Sequence, residues 1–164
     1  MLSVPRVDER REQPYLAVRS QVPMDQLPTA IPQGIVEVHR FLEEHGIRPA
    51  GAPFVRYHQI DMPGLVDISV GWPFAGVIEG NGRVTASSLP TGRYLSAVYT
   101  GNYTGLIEAT AELIKWGEEN AMVWDSQPTA HGEAFGARLE SYWTDPAEEP
   151  DFSKHETEIA IRLM

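Results

Sequence analysis

Arg138, Glu140 and Tyr142 alternate along one stretch of the chain, and alternation puts them, with Gly136, on one side of any strand drawn through it. A carboxylate then sits beside a phenol, with a guanidinium two residues away. On a solvated face this set amounts to an Arg138–Glu140 ion pair worth little. Among apolar neighbours the same carboxyl group resists ionisation, and its raised pKa suits it to acid–base work. The complementary positions Phe135, Ala137, Leu139, Ser141 and Trp143 read as the core face, lying under a helix.

The aromatic residues favour the shielded reading. The chain has four Trp and six Tyr, and many aromatics fall outside the helical stripes: Tyr57, Trp72, Phe74, Tyr94, Tyr99, Tyr103, Trp124 and Tyr142. Phe74 and Tyr99 suit the core. Trp72-Pro73-Phe74 ends a strand and Tyr103 opens a helix, both common places for cleft walls. Rings around one buried carboxylate make a receptor for flat, lipophilic, often cationic molecules, through dispersion, cation–π attraction and charge complementarity.

Other chemistries find little support. His39, His45, His58, His131 and His155 lack metal-ligand spacing, and no H-E-x-x-H occurs, so no metal site is expected. Ser87-Ser88 has no nucleophile elbow around it. Gly101-Asn102-Tyr103-Thr104-Gly105 lacks a P-loop lysine and reads as a helix entry. No cofactor motif is present, and none is expected to be needed.

The elements that must position these residues read as β-α-β-β, twice, in one domain spanning 1–164. The first repeat covers about 14–74 and the second about 92–164, after a polar, fraying lead-in at 1–13. Tyr15–Arg19 is a strand. A helix runs from about Ile31 to His45, with Ile31, Ile35, Val38 and Leu42 on one stripe, Pro32 in its first turn and Gly46 as its stop. Phe54–Gln59 and Val66–Trp72 are strands joined by a loop containing Met62-Pro63-Gly64. Asn81-Gly82 marks a turn, and 83–89 is a short strand or an extended link. Arg93–Thr100 opens the second repeat. Its helix, about Leu106–Glu119, buries Leu106, Ala109, Leu113 and Trp116, with Asn102 or Thr104 as cap. Ala134–Trp143 and Glu156–Leu163 close it. The fold class is α+β, an antiparallel sheet with two helices and a ligand cleft between the repeats. In this alignment Val55 is matched by Glu140, so the second copy adds a carboxylate where the first is apolar. An unrelated α+β domain with coincidentally similar halves is the competing reading.

At 164 residues the chain is long enough for one packed core. A net charge of −10 and a pI near 4.9 oppose binding to nucleic-acid phosphates or anionic membranes and attract cations. There are no cysteines, hence no disulfide framework or thiolate metal site. The first 13 residues do not form a signal peptide, and no run of 18 apolar residues exists. These features fit a cytoplasmic protein.

Pro53-Phe54-Val55-Arg56-Tyr57, Leu89-Pro90-Thr91-Gly92-Arg93-Tyr94, Leu139-Glu140-Ser141-Tyr142-Trp143-Thr144-Asp145-Pro146 and Thr157-Glu158-Ile159-Ala160-Ile161 follow an order and spacing that resembles the GyrI-like small-molecule-binding domain. That family includes the gyrase-inhibitory protein and the effector-binding domains of multidrug-sensing transcription regulators. The resemblance covers about Tyr15 to Leu163. It implies a duplicated β-α-β-β fold whose inter-repeat cleft holds a glutamate at the position of Glu140, facing aromatic residues. Glu140 and Tyr57 match family positions; Trp72, Tyr103, Trp124 and Tyr142 are assigned to the cleft wall by composition and placement. The ligands it implies are lipophilic aromatic compounds, often cationic dyes or drugs. Some free-standing relatives hydrolyse cyclopropane-containing genotoxins, so Glu140 and Tyr57 would be the catalytic groups if this chain is an enzyme. The regulators carry an added basic DNA-reading segment, which the 13 lead-in residues cannot form.

Overall fold

The computed structural model describes residues 1–61 and 64–164; Met62 and Pro63 of the expected loop lie outside the described residues. The chain order is β1 (Arg6–Arg10), β2 (Gln13–Pro23), α1 (Leu27–Glu44), β3 (Phe54–Ile60), β4 (Leu65–Pro73), β5 (Val84–Leu89), β6 (Gly92–Thr100), α2 (Leu106–Glu119), β7 (Ser126–Thr129), β8 (Gly132–Phe135), β9 (Arg138–Tyr142) and β10 (Glu156–Arg162). The strands form one antiparallel sheet in the order β1-β6-β10-β9-β3-β4-β2-β5, with β7 and β8 as a hairpin attached to β3.

The two-fold pattern of the sequence is also the pattern of the sheet. β2-α1-β3-β4 folds with spatial order β3-β4-β2, and β6-α2-β9-β10 with order β9-β10-β6. The halves meet edge to edge through β3 and β9, where Phe54 pairs with Ser141, Val55 with Glu140 and Arg56 with Leu139. Helix α1 lies over β2 and β4, and α2 lies over β6. The seam strands therefore run between the helices.

Each helix docks through its apolar stripe. Val38, Phe41 and Leu42 of α1 pack on Leu16, Val18, Ile68 and Val70. Leu106, Ala109 and Leu113 of α2 pack on Leu95, Ala97 and Ile159. Gly34 is buried where α1 crosses β4, and a Cβ there would stand 2.8 Å from the Val70 side chain. Tyr142 borders both clusters and joins the two cores across the seam.

Several expectations need correction. Helix α1 begins at Leu27, with Pro28 in its first turn and Pro32 in its interior; a proline near the N-terminus removes an N–H that has no intrahelical partner anyway. Gly46 does stop the helix, at φ +65°. The lead-in is polar but not frayed, because Arg6–Arg10 adds β1 to the edge of the sheet and Leu2 bridges Tyr99. Ion pairs from Arg10 to Asp8 and Glu158 support a strand that has little apolar signal. Neither Asn102 nor Thr104 caps α2 through its side chain; a 3-10 turn over Tyr103–Gly105 leads into it instead.

The expected strand 134–143 is broken at Gly136–Ala137. Gly136 N–H donates to the Asp125 carbonyl at 2.8 Å, pulling the chain off line. Alternation therefore does not carry across the break, and Phe135 lies under the Arg138 guanidinium, on the side first given to Arg138 and Glu140. Ala137 and Leu139 are core residues, but not under a helix. They pack with Tyr15, Phe54, Tyr94 and Ala160 on the other face of the sheet. Trp143 is 48% exposed.

Candidate functional site

The site is built from one row of the sheet. Ala97, Ile159, Glu140, Val55, Val70, Val18 and Val84 are successive register partners from β6 to β5. All seven are buried, and six are apolar. Glu140 is the single carboxylate in that row, 9% exposed, on the face that carries the helices. Strand alternation fixes this, because Ile159 on one side and Val55 on the other belong to the cores under α2 and α1.

Tyr57 and Tyr142 flank the row. Each lies two residues beyond a member of the Val55–Glu140 pair, on the same face. The Tyr57 hydroxyl donates to Glu140 Oε1 at 2.5 Å, across 83 residues of sequence. A phenol donating to a carboxyl group is charge-assisted once that group is ionised. Glu140 Oε2 has no protein partner among the described residues. Burial raises the Glu140 pKa, while the Tyr57 hydrogen bond and the Arg138 charge oppose that rise; the net shift is upward. Burial and then the Glu140 charge push both Tyr57 and Tyr142 well above the usual phenol range. Both phenols therefore hold their protons more tightly than an ordinary tyrosine.

Tyr103 meets the edge of Tyr142 at 5.9 Å between ring centres and hydrogen-bonds to His155 Nδ1 at 2.8 Å. His155 is fully buried, and its Nε2 lies 2.6 Å from the Glu149 carbonyl. A carbonyl only accepts, so Nε2 carries a proton. Phe152 packs against both rings. Glu140, Tyr57, Tyr142 and Tyr103 thus form one continuous set.

The two tryptophans assigned to the wall make contacts with the helices. The Trp72 indole N–H donates to the Ile35 carbonyl of α1 at 2.9 Å, and its ring lies against His39. Trp124 bridges Leu163 and presses its ring on Gly117 of α2, filling the space that a side chain there would need. Both fix helices to the sheet. His155 escaped sequence reasoning, since its contacts depend on how the 144–155 connection folds back. Arg138 was visible as Glu140's strand neighbour, but nothing in the sequence showed that its guanidinium would stack on rings.

A separate hollow of about 290 Å³ lies on the opposite face of the sheet, lined by residues including Arg10, Arg11, Phe54, Leu89, Tyr94 and Leu139.

A family model described as the GyrI-like small-molecule-binding domain matches residues 4–164. Among solved structures, the EcmrR C-terminal domain superposes with a TM-score of 0.77 at 18% identity, covering 98% of this chain and 97% of that one. In the complex of EcmrR with DNA, the chain corresponds to 57% of the EcmrR chain. SAV2435 bound to tetraphenylphosphonium superposes with a TM-score of 0.62 at 8% identity, covering 99% and 94% of the two chains. A hydrolase from Listeria innocua gives 0.60 at 14% identity, covering 98% and 91%. No curated protein matches the chain.

Proposed function

The chain belongs to the GyrI-like small-molecule-binding domains, and from that premise we propose that it binds flat, lipophilic aromatic molecules over the β3–β9 seam, with Glu140 as the polar anchor. The observation that carries this reading is a lone carboxylate in a buried, otherwise apolar row, with one oxygen held by Tyr57 and the other left without a partner among the described residues. Ionising a carboxyl group in such surroundings is unfavourable unless something compensates the charge. A ligand that brings a positive centre or an N–H donor to Oε2 supplies that compensation. Tyr142 and Tyr103 offer ring edges and faces for the remainder of the molecule. SAV2435, of similar fold, is bound to tetraphenylphosphonium, a lipophilic aromatic cation, which is consistent with this chemistry.

The test is direct binding of rhodamine- or ethidium-like dyes. Micromolar-scale affinity is expected. Glu140→Gln keeps the shape and still accepts from Tyr57, but removes the charge. It should weaken cationic dyes about tenfold or more, and neutral dyes of the same ring system much less. Equal loss for both would reject the electrostatic role of Glu140.

The Tyr57–Glu140 pairing supports a second reading, a cofactor-free hydrolase acting on strained, electrophilic rings. Glu140 would take a proton from water as the water oxygen bonds to the ring carbon. The electrons of the breaking carbon–carbon bond would pass into a conjugated carbonyl, whose oxygen is then protonated. Mass spectrometry of a cyclopropane-bearing indole alkylator incubated with the protein should show addition of one water, and an unchanged substrate would leave binding as the whole activity.

A further inference from the structure

Four arginines of this chain are half-buried: Arg10, Arg56, Arg138 and Arg162. Three of them are committed to protein acceptors. Arg10 bonds to Glu158 and Asp8, Arg56 to Tyr15, Ser88 and Gly136, and Arg162 to Asp125 and Thr91. Arg138 differs. Among the described residues its side chain has no ion pair and no hydrogen-bond acceptor, and its guanidinium lies against aromatic rings, 4.8 Å from the centre of Phe135 and 5.9 Å from that of Tyr57.

Its position ties it to the seam. Arg138 is two residues before Glu140 on the same strand face, and it stands over the ring whose hydroxyl grips the carboxylate. Burial pulls its pKa down, and the nearby Tyr57, Glu140 and Glu133 pull it back up. The Glu133 carboxylate is itself engaged by the Ser126 hydroxyl at 2.7 Å. A guanidinium carries five N–H donors in a planar fork that matches a carboxylate or a carbonyl. Stacking occupies its faces and leaves its edge without a protein acceptor among the described residues. The seam thus carries a cation on the same strand face as its anion, and each has hydrogen-bonding capacity that no protein group uses among the described residues.

We infer that Arg138 is a second polar anchor of the seam site, and that the molecules this site takes are flat, net-neutral aromatics bearing a carboxylate or carbonyl for Arg138 together with a positive or N–H group for Glu140. The inference rests on the seam being the binding site and narrows its ligand class. A ligand with only a positive charge meets repulsion from Arg138 as well as attraction to Glu140. A zwitterion meets two attractions.

Rhodamine B, which carries a free carboxylate, and its ethyl ester, a cation with the same ring system, separate these cases in fluorescence titrations at neutral pH. The wild-type protein is expected to bind rhodamine B at least tenfold more tightly than the ester. Arg138→Met retains apolar bulk against Phe135 and Tyr57 but lacks the charge; it should lose that preference or reverse it. Arg138→Lys keeps the charge without the planar fork, so its preference should be intermediate, and it serves if the methionine variant does not fold. Glu140→Gln should weaken both dyes. If the wild type binds both dyes but neither Arg138 variant changes their affinity ratio, the role given to Arg138 is wrong while seam binding stands. If neither dye binds saturably to the wild type, seam binding fails and this inference falls with it.

Discussion

Burial of Glu140 makes stability depend on pH through one side chain. Its carboxyl pKa in the fold is raised by burial above the ordinary value. A raised folded-state pKa means that the proton is held more tightly in the native state, so the native state is favoured at low pH and loses that advantage as pH rises through the raised value. Glu140→Gln carries no such loss. The variant should compare least favourably with the wild type below the ordinary carboxylate pKa of about 4 and gain on it as pH rises, by on the order of 1 kcal/mol, a change that urea titrations at several pH values would resolve. A flat difference across pH would mean that the carboxyl group is not strained by its surroundings. His58 works in the opposite sense. Burial and two nearby arginines lower its pKa from 6.5 to about 4, so it stays neutral beside the Ser69 hydroxyl and opposes unfolding less as pH falls through that interval. At this scale the sequence was partly legible. Sequence alternation singled out Glu140, and the two positions matched between the repeats, Val55 and Glu140, stand in register across the seam. The Tyr57 contact was not readable from alternation, since it joins strands 83 residues apart. The helix contacts of Trp72 and Trp124 were not readable from composition either, since they depend on where each helix docks.

The elements position the site by where they stop. Both helices have stripes that could be read directly, and both dock where those stripes require. What the stripes do not give is how far each helix reaches across the sheet. Gly34 settles this for α1 by allowing it to lie close to β4. Gly34→Ala would place a Cβ 2.8 Å from Val70 and 3.1 Å from Val18. Alanine favours a helix over glycine by about 1 kcal/mol, yet the clash should outweigh that gain, with a net loss of about 1–3 kcal/mol by denaturant unfolding. A stabilised variant would show that the helix can shift at no cost. β1 and the break in the last strand pair were missed for different reasons. The first is held by ion pairs and backbone pairing on a polar edge, so it lacks the apolar alternation that marks half-buried strands. The second depends on one backbone bond from Gly136 to Asp125, a partner that nothing local identifies.

The whole molecule is two like halves sharing one sheet and, through Tyr142, one interior. Each half alone would expose its seam strand, β3 or β9, with unpaired backbone groups and an apolar face beside them. Residues 1–91 and 92–164 produced separately should therefore aggregate or remain unfolded, and mixing them should recover the circular dichroism of the intact chain. A half that is folded and monomeric by itself would show that the seam is a contact between independent units. The pairing of Val55 with Glu140 also places the pseudo-two-fold axis, which carries Tyr57 onto Tyr142 and Pro53 onto Arg138. A floor with that symmetry would seat a planar guest in two poses, half a turn apart, with equal free energy. Both charged departures from symmetry, Glu140 and Arg138, belong to the same strand. They lift the degeneracy, so a bound molecule should settle in one orientation only, its head and tail told apart by a surface that otherwise reads the same from either end.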